Sequence, residues 1–159
     1  MNKLSYEKIY PCDYEALTNI MIGAFNEDTA MHTEMEADGP TGYNDGSLIK
    51  RLNEHENYES YKVIYEGNII GAYTIANNYT NEFSLEMLFI TPKLRGFHLG
   101  SMVWKYIEEK YSNAKLWTVE TPDYSIRNHH FYTINCGFTF LKENRFDNGS
   151  KSFVFHKEK

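Results

Sequence analysis

The sequence predicts an α/β (α+β) fold in which a mixed, mostly antiparallel twisted sheet carries helices on both faces, within one domain spanning residues 1–159. Three observations carry this expectation. Gly67-Asn68 and Asp147-Asn148-Gly149 each join two runs of strand character, the mark of antiparallel hairpins. Between them Leu85, Met87, Leu88, Phe89 and Ile90 form a nearly continuous apolar run, as in a central strand covered on both sides. A turn containing Pro92 and Gly96 then leads into an amphipathic helix.

The elements follow in order. Leu4 to Ile9 reads as a first strand, and Pro11 with Asp13 opens a helix through Leu17, Ile20, Met21 and Phe25. Residues 26–47 are polar and rich in turn formers, so irregular or short helical structure is expected there, followed by a short helix over 48–55. Strands are expected at 61–66 and 69–77, continuing through Thr80-Asn81-Glu82 into the apolar strand, which Pro92 ends because it has no N–H for a ladder. Leu99, Met102, Val103, Tyr106 and Ile107 recur at helical spacing, placing a helix to about Tyr111. Leu116 to Pro122 reads as a strand, Ser125 to Asn135 as a short helix, and 138–143 with 151–156 as the closing hairpin.

Composition narrows the partners. A chain of 159 residues with 42% hydrophobic and 16% aromatic content is long enough to bury a genuine core. A net charge of -6 argues against nucleic acid, which demands a basic surface. No run approaches the ~20 apolar residues of a membrane span, and MNKLSYEKIY lacks the character of a secretion signal. Cys12 and Cys136 are too few for a disulfide scaffold, so a reduced cytoplasm is expected, with the chain a monomer or homodimer. No metal-ligand spacing is present, and the neighbouring His129 and His130 read as solvated or packed rings facing different directions.

The chemistry concentrates between Phe83 and Ser101. A buried strand, a Gly-bearing turn and a helix start aim backbone N–H groups and a positive helix end at one small space, which suits an anion such as a diphosphate. Gly96 and Gly100 lack a Cβ, so a ligand can approach the backbone there, and Arg95 adds a positive charge, although a solvated turn residue is its plainer reading.

The order of residues in Arg95-Gly96-Phe97-His98-Leu99-Gly100-Ser101 resembles the acetyl-CoA-binding motif of the GNAT superfamily of N-acetyltransferases, in which Arg or Gln is followed by two residues, Gly, any residue, and Gly or Ala. Arg95 and Gly100 match its ends, and His98 stands where the first Gly is usual. Downstream, Tyr132 with Gly137-Phe138 looks like the family's Tyr-x-x-x-Gly-Phe ending, with one residue more than usual between Tyr and Gly. Ser125 replaces the common Asn seven residues before that Tyr.

The resemblance implies a GNAT-like sheet with splayed central strands and acetyl-CoA as co-substrate, without a metal. It implies that the backbone of Leu88, Phe89 and Ile90 pairs with the pantetheine arm and that the N–H groups of Gly96 through Ser101 hold the diphosphate. Ser125 and Asn128 are the further positions it places at the cofactor. Tyr132 is the implied proton donor to the departing thiolate. Glu86, which interrupts the apolar strand, and Glu120 are the two candidate bases, each otherwise a paired or solvated strand carboxylate.

A primary amine with a pKa near ~10 must lose a proton before it attacks a thioester. The 26–47 segment carries Glu27, Asp28, Glu34, Glu36, Asp38 and Asp45 without Lys or Arg, a rim that would attract a small cationic amine if it is more than a solvated loop. Tyr43, Tyr73 and Tyr79 are candidate walls of an amine pocket. Acetylation of a protein N-terminus or lysine, or a CoA-binding sensor without catalysis, are the alternative expectations.

Overall fold

The computed structural model describes residues 3–78 and 80–159. Seven strands form one sheet: β1 (Leu4–Lys8), β2 (Tyr58–Tyr65), β3 (Asn68–Asn77), β4 (Glu82–Ile90), β5 (Leu116–Pro122), β6 (Thr139–Arg145) and β7 (Lys151–Glu158). Their order is β1-β2-β3-β4-β5-β7-β6, and every neighbouring pair is antiparallel except β4–β5. Helices α1 (Tyr14–His32) and α2 (Ser47–Glu54) cover one face, where Leu17, Met21, Leu48 and Ile49 bury Ala72 and Phe89. On the other face α3 (Leu99–Lys110) packs Leu99, Val103, Trp104 and Ile107 against Phe83, Leu85 and Trp117, and Tyr132 and Cys136, from the segment after β5, belong to the same core. The predicted mixed, mostly antiparallel sheet with helices on both faces is therefore what forms. Tyr79 lies outside the described residues.

Several local expectations need correction. The β2–β3 turn is Glu66-Gly67, one residue earlier than Gly67-Asn68, with φ of 51° and 82°. A two-residue turn of this kind needs a left-handed backbone at both positions with Gly second, which fixes Gly67 as the second. Helix α1 runs on to His32, so residues 26–32 are helical. Its inward positions continue through Asp28 and Thr29, both buried, so a pattern of apolar residues alone loses the helix after Phe25. Pro11–Asp13 forms a 3-10 turn before α1.

A β-bulge at Glu86 shapes the central strand. Thr74 opposes Met87 while the next residue, Ile75, opposes Leu85, leaving Glu86 as the extra residue on β4. The bulge exchanges the faces of the strand. Phe83, Leu85, Leu88 and Ile90 pack toward α3, whereas Met87 and Phe89 pack toward α1, a split that strict alternation from Leu85 would not give.

One buried ion pair ties the start of the fold together. Lys62 Nζ on β2 donates to Asp13 Oδ2 at 2.9 Å, and the Tyr10 amide donates to the same oxygen at 2.8 Å. Burial raises the Asp13 pKa, but the Lys62 hydrogen bond, the Tyr10 amide and the Lys62 charge outweigh it and hold the carboxyl below its ordinary range. A depressed carboxyl stabilises the fold above the unfolded pKa of ~3.9 and loses that contribution as pH falls through the folded value. Asp13→Asn is expected to remove about 2 kcal/mol at pH 7 by leaving Lys62 without its anion. The gap from wild type should close below about pH 4 in urea melts.

Candidate active site

The site begins where β4 and β5 part. Their parallel pairing runs from Glu82↔Leu116 to Leu85↔Val119. Past that point β4 stays on β3 up to Ile90 and β5 stays on β7 up to Pro122. Glu86 and Glu120 are the first residues beyond the last pair, one on each side of the opening. A crevice of about 290 Å³ follows, with Leu88, Phe89 and Ile90 as its β4 wall. Gly96, Leu99, Gly100 and Ser101 form a second side, and Asn128 and Tyr132 a third.

The turn after β4 presents backbone at that crevice. Pro92–Leu94 makes a 3-10 turn, Arg95 N–H donates to the Pro92 carbonyl at 3.1 Å, and Phe97 N–H donates to the Leu94 carbonyl at 3.3 Å. The His98 carbonyl accepts from Met102 N–H, so the amides of Leu99, Gly100 and Ser101 lead the helix without intrahelical acceptors. His98 has φ +58° and Gly96 φ +91°, so both turn positions require left-handed backbone. That region is natural for Gly and several-fold enriched in His among other residues. The His98 side chain is exposed, and its residue still lines the crevice. A Cβ on Gly96 would meet open space, whereas one on Gly100 would press on the Phe131 ring at 3.3 Å. At Gly100 the close neighbour is thus the chain's own aromatic ring. Phe97 does not line the crevice.

The extra residue between Tyr132 and Gly137 is absorbed as a π-helical turn. Helix α4 (Ile126–His130) continues as Phe131–Asn135 in π geometry, where Cys136 N–H donates to the Phe131 carbonyl at 3.1 Å, five residues back. This wider turn keeps Tyr132 facing the crevice while Phe138 enters the core. Burial pushes the Tyr132 phenol well above its ordinary pKa, with the nearby Cys136 adding to the rise, so it carries its proton at neutral pH.

Other expected residues take different places. Ser125 is fully buried and donates to Asp28 Oδ2 at 2.6 Å, outside the crevice lining, while Asp28 itself lines the crevice from α1. Asp28 Oδ1 and His32 Nε2, both buried, face each other at 3.7 Å without a hydrogen-bond partner among the described residues. Glu86 accepts from Tyr58 OH at 3.0 Å and from Ser84 Oγ at 2.5 Å. Glu120 accepts from Asn144 Nδ2 at 3.0 Å and from Ser152 Oγ. Both glutamates are exposed and lie outside the crevice lining.

Tyr73, expected as a wall of an amine pocket, is sealed in the core, and Tyr43 is buried and donates to Asn26 Oδ1 at 2.6 Å; neither lines the crevice. His129 packs on Phe153 and Phe155 with Nε2 at 2.9 Å from the Pro122 carbonyl, and His130 is exposed, as the packed-or-solvated reading has it. Sequence reasoning missed Arg127, which lines the crevice from α4, and the placement of Glu27 opposite it. Only the continuation of α1 beyond Phe25 would have signalled the latter.

A parted parallel strand pair, a turn of bare amides at the gap and a buried tyrosine on another wall make up the crevice. Comparison with known proteins gives the class of the chain. The model of the Acetyltransferase (GNAT) family matches residues 23–138, and the chain belongs to that family. An uncharacterized Bacillus subtilis protein, YrkN, is 35% identical over 83 residues, covering 52% of this chain and 45% of its own length, so the match spans less than half of that relative.

Among solved structures, an acetyltransferase from Thermus thermophilus superposes with a TM-score of 0.75 at 11% identity, over 98% of this chain and 96% of its own. The PaiA N-acetyltransferase of Thermoplasma acidophilum, in complex with coenzyme A, superposes with a TM-score of 0.71 at 14% identity, over 99% of each chain. At such identities the likeness is one of fold.

Proposed function

We propose that this chain, as one domain, transfers the acetyl group of acetyl-CoA to the primary amine of a small cationic acceptor by direct attack within a ternary complex. The observation that carries this is the opening beyond Leu85↔Val119, lined by strand backbone on one side and by leading helix amides on another. Leu88, Phe89 and Ile90 have no β5 partner and present a strand edge of the kind a pantetheine arm completes. The amides of Leu99, Gly100 and Ser101, with the positive helix end behind them, suit a diphosphate.

In this reading Tyr132 holds the proton that the departing thiolate takes, and Glu86 receives the proton the amine loses, through water. The C–S bond breaks as the new C–N bond forms. Glu86 is the favoured base because it interrupts the strand beside the opening, where the Tyr58 and Ser84 hydroxyls hold its carboxylate in place. The exposed Glu34 and Glu36, beyond the end of α1, support a cationic acceptor.

A thiol-release screen with acetyl-CoA and a panel of amines tests the proposal. The panel holds a polyamine, an aminoglycoside and a peptide with a free N-terminus. Turnover with the small cations is expected, preference for the peptide would favour protein acetylation, and silence despite tight acetyl-CoA binding would favour a sensor. Glu86→Gln should lower kcat about 100-fold for the accepted amine. An unchanged rate there, with a loss in Glu120→Gln, would move the base to Glu120.

A further inference from the structure

Two arginines from different elements converge on one carboxylate oxygen at the crevice. Arg95, in the turn after β4, and Arg127, on α4, both donate to Oε1 of Glu27 on α1, the second at 3.2 Å. Both arginines line the crevice, and Arg95 adjoins the turn backbone at Gly96 and His98. Two guanidiniums this close repel each other unless an anion lies between them. Burial, and then the Arg127 charge, disfavour the protonated form of Arg95, while Glu27 and Asp28 favour it. The three side chains are 30 to 43% exposed.

We propose that Glu27 is a resident anion at the turn that takes the coenzyme's diphosphate, displaced when the coenzyme binds, and that Arg127 adds a second guanidinium to Arg95 there. This rests on the reading of the crevice as the coenzyme site. Partly exposed ion pairs are weak, so Glu27 can leave. A diphosphate brings two or more charges and several acceptor oxygens to the same fork-shaped donors, so the exchange runs toward the ligand. Arg127 is thereby a binding residue for the coenzyme. Glu27 is an internal competitor that keeps the arginines in position and sets how tightly the coenzyme is held.

Calorimetric titration of the full chain with coenzyme A, dephospho-coenzyme A and pantetheine tests this. Glu27→Gln should bind coenzyme A about 3- to 5-fold more tightly, Arg127→Ala about 10-fold more weakly, and Arg127→Lys in between, with the differences shrinking at high salt. In the Glu27→Gln/Arg127→Ala double variant the gain from Glu27→Gln should largely vanish, because the carboxylate then has less to compete for. Dephospho-coenzyme A should show the same pattern and pantetheine none of it.

Coenzyme A binding that is indifferent to both single substitutions overturns the inference while leaving the coenzyme reading intact. Effects lost with dephospho-coenzyme A would assign the arginines to the ribose phosphate and overturn it too. A wild-type chain that binds no coenzyme A would overturn both readings together. Thermal melts of each variant separate weak binding from poor folding.

Discussion

Gly71→Ala is expected to destabilise the chain by about 3 kcal/mol, because overpacking against a backbone atom has no soft way out. A Cβ at this position would lie 2.0 Å from the Phe89 carbonyl oxygen and 3.0 Å from Ile90 Cα, both main-chain atoms of the neighbouring strand. A flexible side chain would turn aside, but β4 is held in register by its ladder with β3 and cannot. The strands must separate where β4 forms the crevice wall and where the Thr91 amide donates to the Ile70 carbonyl at 2.7 Å. Stability and site geometry should therefore fail together. Calorimetry should show a Tm lower by roughly 6–12 °C for a chain of this length, with weakened coenzyme A binding in the fraction that still folds. A Tm within a degree of wild type would mean that β3 and β4 slide past the added methyl.

Tyr132→Phe should leave the fold and coenzyme A affinity nearly unchanged while lowering kcat about 100-fold or more, the usual contribution of a positioned general acid. The ring's packing survives this substitution, since its T-shaped contacts with the Phe131 and Phe138 rings remain in place. What goes is the hydroxyl and the proton it carries, held on the phenol at neutral pH because burial raises its pKa. If kcat and its pH profile match wild type, the thiolate takes its proton from water and Tyr132 serves only as a wall.

Most of the scaffold was legible because its signals are local. Leu99, Val103 and Ile107 repeat at helical spacing and form the buried stripe of α3, and Pro92 stops β4 as a residue without an N–H should. The turn after β4 was legible as a chemical feature because Arg95, Gly96 and Gly100 stand close together in sequence. Three things were hidden, each for a physical reason. The last turns of α1 bury Asp28 and Thr29, polar residues whose partners lie outside the helix: Ser125, 97 residues away, for Asp28, and the Asp38 carbonyl for Thr29. The bulge at Glu86 depends on how β3 pairs, and nothing along β4 alone reveals which side Leu88 will take. The meeting of Glu27 with Arg95 and Arg127 joins three segments far apart in the chain, a fact of tertiary structure only.

The short seam between β4 and β5 has a mechanical meaning. Four cross-strand residue pairs, Glu82↔Leu116 to Leu85↔Val119, make the only ladder between the β1–β4 and β5–β7 halves of the sheet among the described residues. Like two boards sharing a short spine, the halves meet in the sheet over that stretch alone, and α3 braces both by packing Phe83 and Trp117 into one core. The bulged Glu86 marks where that spine ends, and the mouth opens beyond it.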